Sequence, residues 1–155
     1  MAKQVSARQQ WDGLYDSNDH LFFGLTKSGV SIRSLHPTPA EALRLWQIYL
    51  DNVNAVLKIT HTPSLQPRVI EAVGDFTSLD PSFEALLFSI YCVAAQTLTE
   101  DECITIFKSL KDEILSRYRL GCQNALANCG YLRTVERDCL TAQLLYLVCH
   151  FISSH

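Results

Sequence analysis

Charge, glycine and proline are all scarce in these 155 residues: charged side chains make up 19%, with six glycines and five prolines, against 48% hydrophobic side chains. A chain so composed buries a core, which excludes intrinsic disorder, collagen-like repeats and solvated tails. Its length is that of one domain. Basic residues are outnumbered, 13 Lys and Arg to 16 Asp and Glu with a net charge of −3, and that balance speaks against direct binding to a phosphate backbone. The most apolar stretches, residues 85–98 and 139–152, are about fourteen residues each, short of the ~20 that a membrane span needs. Residues 1–10 carry Lys3 and Arg8 without an apolar core, unlike a signal peptide. The chain reads as soluble and intracellular, nuclear or cytoplasmic.

Close cysteine pairs are missing too. Cys92, Cys103, Cys122, Cys129, Cys139 and Cys149 are never nearer than seven residues, whereas a zinc cluster presents two thiolates to one metal from a single short turn. They read as buried, reduced thiols that pack as small hydrophobes, with no metal and no cofactor. His20, His36, His61, His150 and His155 show no metal-ligand spacing either. No alternating β run, phosphate-binding glycine loop, nucleophile elbow or HExxH motif occurs.

What is present, from Thr38 onward, is helical punctuation. Thr38, Pro39 and Glu41 combine an N-cap hydroxyl, a first-turn proline and a carboxylate that reaches back to the cap. Ala42, Leu45, Trp46, Tyr49 and Val53 then recur at threes and fours. Asp51, Asn52 and Asn54 compete for the backbone and predict a bend near Asn54. Thr62-Pro63-Ser64 starts a second helix, with Pro67 in or near its first turn and Gly74 placed to end it in the left-handed conformation. Asp80-Pro81 starts a third, apolar on nearly every side over residues 83–98, which belongs at the centre of a bundle. Thr99 and Glu102 form another capping box before a short helix to Phe107. Leu115, Tyr118, Cys122, Ala125 and Cys129 mark a seam on the next helix, which Gly130 can end. A last helix from about Val135 carries Leu140, Leu144, Leu147, Val148 and Phe151. The predicted architecture is an all-α antiparallel bundle of about five to seven helices over residues 38–155, preceded by an irregular arm, residues 1–37, that packs through Leu21, Phe22, Phe23 and Leu25.

The run Ser34-Leu35-His36-Pro37-Thr38-Pro39, through Leu45-Trp46-Gln47-Ile48-Tyr49-Leu50-Asp51-Asn52-Val53-Asn54 to His61-Thr62-Pro63-Ser64-Leu65-Gln66, resembles the opening of the middle homology region of fungal-specific transcription factors. Two later blocks agree: Glu84 to Tyr91 leading into Leu98-Thr99-Glu100-Asp101-Glu102-Cys103, and Arg117-Tyr118-Arg119 through Ala125-Leu126-Ala127 to Leu132-Arg133-Thr134. In that family the region is a helical regulatory domain following a zinc binuclear cluster that binds DNA, and in some members it is thought to sense small molecules or contact partners. The cluster is missing here, Ala55 stands where the family often has proline, and the likeness covers only the first part of the domain. The resemblance implies helical fold and ancestry, with no zinc ligands carried over.

A clipped domain leaves apolar faces in water, and the helix over 83–98 and the final helix are expected to expose them. The expected partners are a second copy bound through the C-terminal helices or a related helical domain. A hydrophobic small molecule is the third candidate, held by pocket residues Trp46, Tyr49, Asn52, Asn54 and Tyr91. The alternative is a recruited, cofactor-independent isomerase or cyclase of fungal secondary metabolism, for which Asp51 and His61 are the catalytic candidates. Asp80 reads as an N-cap, His36 and His61 as capping or hydrogen-bonding residues at proline turns, His150 as a core or interface histidine. Lys108, Lys111, Arg117 and Arg119 read as a solvated face.

Overall fold

The helix starts follow the caps. In the computed structural model, which describes residues 31–130 and 135–153, α1 (Ile32–Leu35) is a single turn. Helix α2 (Pro39–Tyr49) opens on the Thr38–Glu41 capping box and runs into a π-helical turn, Leu50–Asn54, and the short α3 (Ala55–Leu57). The bend expected near Asn54 is thus a π turn, a local widening of the helix where polar side chains disturb the backbone ladder. Helix α4 (Thr62–Gly74) precedes a 3₁₀ turn, Phe76–Ser78, and α5 (Pro81–Gln96) starts where the Asp80 carboxylate accepts the Phe83 amide at 3.3 Å. Then come α6 (Glu100–Phe107), α7 (Lys111–Cys129) and α8 (Arg137–Ser153). Among the described residues there is no strand, and the fold is the expected all-α bundle.

Two local expectations change. Pro67 lies in the second turn of α4, inside the helix, so that the helix loses one backbone bond there. Gly74 ends α4 without a left-handed turn, since Asp75 leaves in an extended conformation, whereas Gly130 caps α7 at φ 63°. Leu21, Phe22, Phe23, Leu25, His20 and His155 lie outside the described residues.

The bundle is organised around α5. Every side chain from 85 to 95 is buried, because α2, α7 and α8 enclose it. Helix α7 runs antiparallel to α5: the Tyr91 and Tyr118 rings are 5.4 Å apart, and Lys111 Nζ donates to the Gln96 carbonyl at 3.0 Å. Gly121 faces the Phe88 ring so closely that a methyl group there would overlap it. Helix α8 folds back antiparallel to α7, tied by Gln123 Nε2 to Tyr146 Oη at 2.8 Å and Arg119 to Ser153 at 3.0 Å. The expectation of an uncovered face on the helix over 83–98 is therefore corrected: one chain suffices to wrap it.

The final helix is different. Its inner face is Cys139, Ala142, Leu145, Tyr146 and Cys149, all buried. Of the stripe singled out in the sequence, Val148 packs against the core, and the rest points the other way, with Leu140, Leu144, Leu147 and Phe151 exposed at 49, 48, 47 and 67%. Helix α8 is apolar on two sides, and the side turned inward combines the small Cys139, Ala142 and Cys149 with the large Leu145 and Tyr146.

Candidate functional site

The polar residues predicted to line a pocket instead tie a knot between the end of α2 and the start of α4. Tyr49 Oη lies 2.8 Å from Thr60 Oγ1, Thr60 donates to Asn54 Oδ1 at 3.2 Å, and Asn54 Nδ2 donates to Thr62 at 3.1 Å. The Trp46 indole stacks on Tyr49 at 5.6 Å and donates to Gln66 at 3.4 Å. Lys58, left-handed at φ 46°, turns the chain between the two helices. Asn52 reaches instead to Thr97, at 2.9 Å, beyond the end of α5. Burial pushes the Tyr49 phenol up, with the Thr60 bond pulling it down. These hydrogen bonds satisfy groups that burial would otherwise penalise.

Tyr91, on α5, is not part of the knot. Its ring meets His36, Phe88 and Tyr118. Its hydroxyl is buried without a partner among the described residues, and burial drives its pKa far up. His36 is the centre of this second cluster. Its ring stacks on Phe76 at 4.4 Å and 12°, leans on Phe88 at 4.4 Å, and places Nε2 2.9 Å from Glu84 Oε2, while Nδ1 is buried without a partner among the described residues. The backbone that carries it is gripped by Arg117, which donates to the carbonyls of Ser34, Leu35 and His36 at 3.3, 3.0 and 2.6 Å. The solvated basic face is corrected in part: Lys108 and Arg117 are exposed, Lys111 and Arg119 half-buried. Arg117, Arg119 and Lys111 spend their N–H groups on carbonyls and side chains of neighbouring elements, Lys111 on Gln96 and Leu98. No sequence spacing signalled that clamp, whose partners lie about eighty residues away.

The two catalytic candidates part company. Asp51 is exposed and accepts a 3.0 Å bond from Gln47 one turn earlier. His61, the N-cap residue of α4, pairs with the Ser64 hydroxyl within the same turn and has no carboxylate partner among the described residues. It lines a cleft of about 100 Å³ with Thr60, Ser64, Arg68, Asp138 and Thr141. That is room for a few waters, well below the ~300 Å³ where organic-ligand sites begin. Two of its charges pair: Arg68 makes two bonds to Asp138, at 3.2 and 2.6 Å, over the face of Phe83, and the carboxylate holds the guanidinium pKa up. Asp51 is not among the cleft residues. His150, expected in the core or at an interface, stands on the outside, edge-on to Tyr146 at 4.6 Å.

All six cysteines are free thiols. Cys129 and Cys139 sit 3.0 Å apart where α7 hands over to α8, and burial pushes the Cys92 and Cys122 thiols well up. Protonated and buried, the sulfurs of Cys92 and Cys122 are inert packing material, whereas the bond to Cys92 pulls the Cys149 thiol down.

The described residues thus form an all-α helical bundle with an apolar face of α8 exposed. The chain is 48% identical over 132 residues, 85% of its length, to the "Transcriptional regulator AacuB" of Aspergillus aculeatus. Identity is 38% over 86% of the chain to the "Pyriculol/pyriculariol biosynthesis cluster transcription factor 1" of Pyricularia oryzae, and 31% over 83% to the "C6 finger domain transcription factor adaR" of Aspergillus niger. The chain is homologous to part of the fungal C6 zinc-finger transcription factors, as the three sequence blocks implied. It spans only about 18% of the length of the first two and 17% of adaR. No protein-family profile and no solved structure matches it.

Proposed function

We propose that this chain is a non-catalytic regulatory segment of a fungal transcription regulator, acting in the nucleus by docking a helical protein partner on α8. The exposed leucines of α8 carry this reading: a helix that buries one apolar face in its own bundle and presents another to solvent is built for a neighbour. Of the expected partners, a protein is favoured over a hydrophobic small molecule, because the pocket candidates are hydrogen-bonded among themselves, the cleft beside His61 is too small, and the larger apolar groove of about 560 Å³ is lined by α4 alone and encloses nothing. The name of the Pyricularia relative extends the proposal to genes of a biosynthetic cluster. The isomerase or cyclase alternative is not favoured, since the relatives named above are regulators.

The test is a tethered reporter. Fused to a heterologous DNA-binding domain in a filamentous fungus, the chain should change reporter output several-fold, and Leu144→Glu on α8 should return it to the level of the DNA-binding domain alone. Output indistinguishable from that level with the wild-type chain would contradict the proposal.

A further inference from the structure

We infer that Cys129 and Cys139 form an oxidisable dithiol, which a peroxide converts into a disulfide between the end of α7 and the first turn of α8. The inference stands apart from the docking role proposed above. Cys129 is the last residue of α7 and Cys139 the third of α8, and their sulfurs lie 3.0 Å apart. A disulfide bond is about 2.05 Å long, so the two sulfurs have to close by only about 1 Å. Both helices hold them in place: the Leu126 carbonyl accepts the Cys129 S–H at 3.3 Å, and Gln143 Nε2, one turn along α8, approaches Cys139 Sγ at 3.7 Å. Cys92, Cys103, Cys122, Cys139 and Cys149 are buried, and Cys129 is partly exposed. One accessible sulfur therefore rests against a sheltered one. In that arrangement an oxidised thiol is captured by its neighbour before it can be oxidised further.

The step balances with one molecule of hydrogen peroxide. The Cys129 thiolate attacks one peroxide oxygen and the O–O bond breaks, giving a sulfenic acid and a hydroxide. The Cys139 sulfur then attacks the Cys129 sulfur: the S–S bond forms, and the S–OH bond breaks with loss of a second hydroxide. The two thiol protons join the two hydroxides, so the dithiol is oxidised by two electrons and the peroxide is reduced to two waters. Burial and the Cys139 neighbour push the Cys129 thiol up, and only a thiolate attacks, so closure is slow at neutral pH. The pair responds to lasting exposure to peroxide and not to a brief pulse. Once made, the bond closes the chain over residues 129–139 and takes freedom from the unfolded state.

Prolonged treatment of the full chain with hydrogen peroxide tests this. Free thiols counted in denaturant should fall by two from the six of the untreated chain, with helical circular dichroism unchanged, and dithiothreitol should restore them. Trypsin cuts after Arg119, Arg133 and Arg137, so the oxidised chain should yield peptides 120–133 and 138–155 linked together, with fragmentation placing the bond on Cys129 and Cys139. Cys129→Ser and Cys139→Ser should each abolish the link, whereas Cys122→Ser, on the same tryptic peptide as Cys129, should keep it. The oxidised wild-type chain should melt about 5 °C above the reduced one. Retention of all six thiols, a bond between Cys92 and Cys149 instead, sulfinic acid on Cys129 with Cys139 still free, helix lost on oxidation, or an oxidised chain that melts no higher would each overturn the inference.

Discussion

At the scale of single residues, the first resemblance block finds its physical meaning in His36. The histidine fills the space between Phe76 and Phe88, uses Glu84 as its one polar partner, and has its backbone held by Arg117. Glu84→Ala would leave both ring nitrogens buried and unpaired, and an unsatisfied buried group costs about 1–3 kcal/mol. Urea unfolding should show a loss of that size, with Glu84→Gln recovering most of it through a neutral hydrogen bond; an unchanged midpoint would refute this role. The sequence makes His36 conspicuous beside its prolines but is silent about Glu84, 48 residues on, because local spacing says nothing about partners joined only by folding. Trp46, Tyr49 and Asn54 show the same limit. Aromatic rings beside amides suit a pocket or a core equally, and the decision lies with Thr60, Thr62 and Gln66, which supply the bonds.

At the scale of elements, most starts were legible because caps are local chemistry. Thr38, Asp80 and Thr99 each accept an amide three residues on. Thr99→Ala removes the α6 cap and should cost about 1 kcal/mol in equilibrium unfolding, while the same change at the exposed Thr105 should cost little. Ends were less legible: glycine permits a left-handed turn without requiring one, so Gly74 and Gly130 diverge. The close approach of α5 and α7 depends on Gly121. Gly121→Ala should destabilise by about 1–3 kcal/mol despite alanine's better helix propensity, because the added methyl overlaps the buried Phe88 ring. Differential scanning calorimetry showing a raised Tm for that variant would contradict the packing. The inward face of α8 was not legible, since a helix apolar on two sides has a periodicity that fits either choice.

At the scale of the whole molecule, the core makes the fold sensitive to alkali. Burial raises the phenols of Tyr49, Tyr91, Tyr118 and Tyr146, the last to about 12, above the ~10 of an unfolded chain. A group that binds its proton more tightly when folded contributes stability that is intact below its unfolded pKa and lost as pH rises through the folded one. Helical circular dichroism should therefore hold to about pH 10 and collapse above it, with tyrosinate absorbance rising together with unfolding; ionisation near pH 10 in an intact fold would contradict this.

Among the described residues the molecule is a core built around α5, with an apolar face of α8 left exposed. Hydroxyl-radical footprinting across a dilution series tests that claim most directly. At the highest dilution, Leu140, Leu144 and Leu147 should be oxidised as readily as the exposed Leu43 and Ile70, while Leu86, Leu87 and Phe88 stay protected. Leucines on α8 as resistant as Leu87 at the highest dilution, or α5 labelled as fast as α8, would contradict the account.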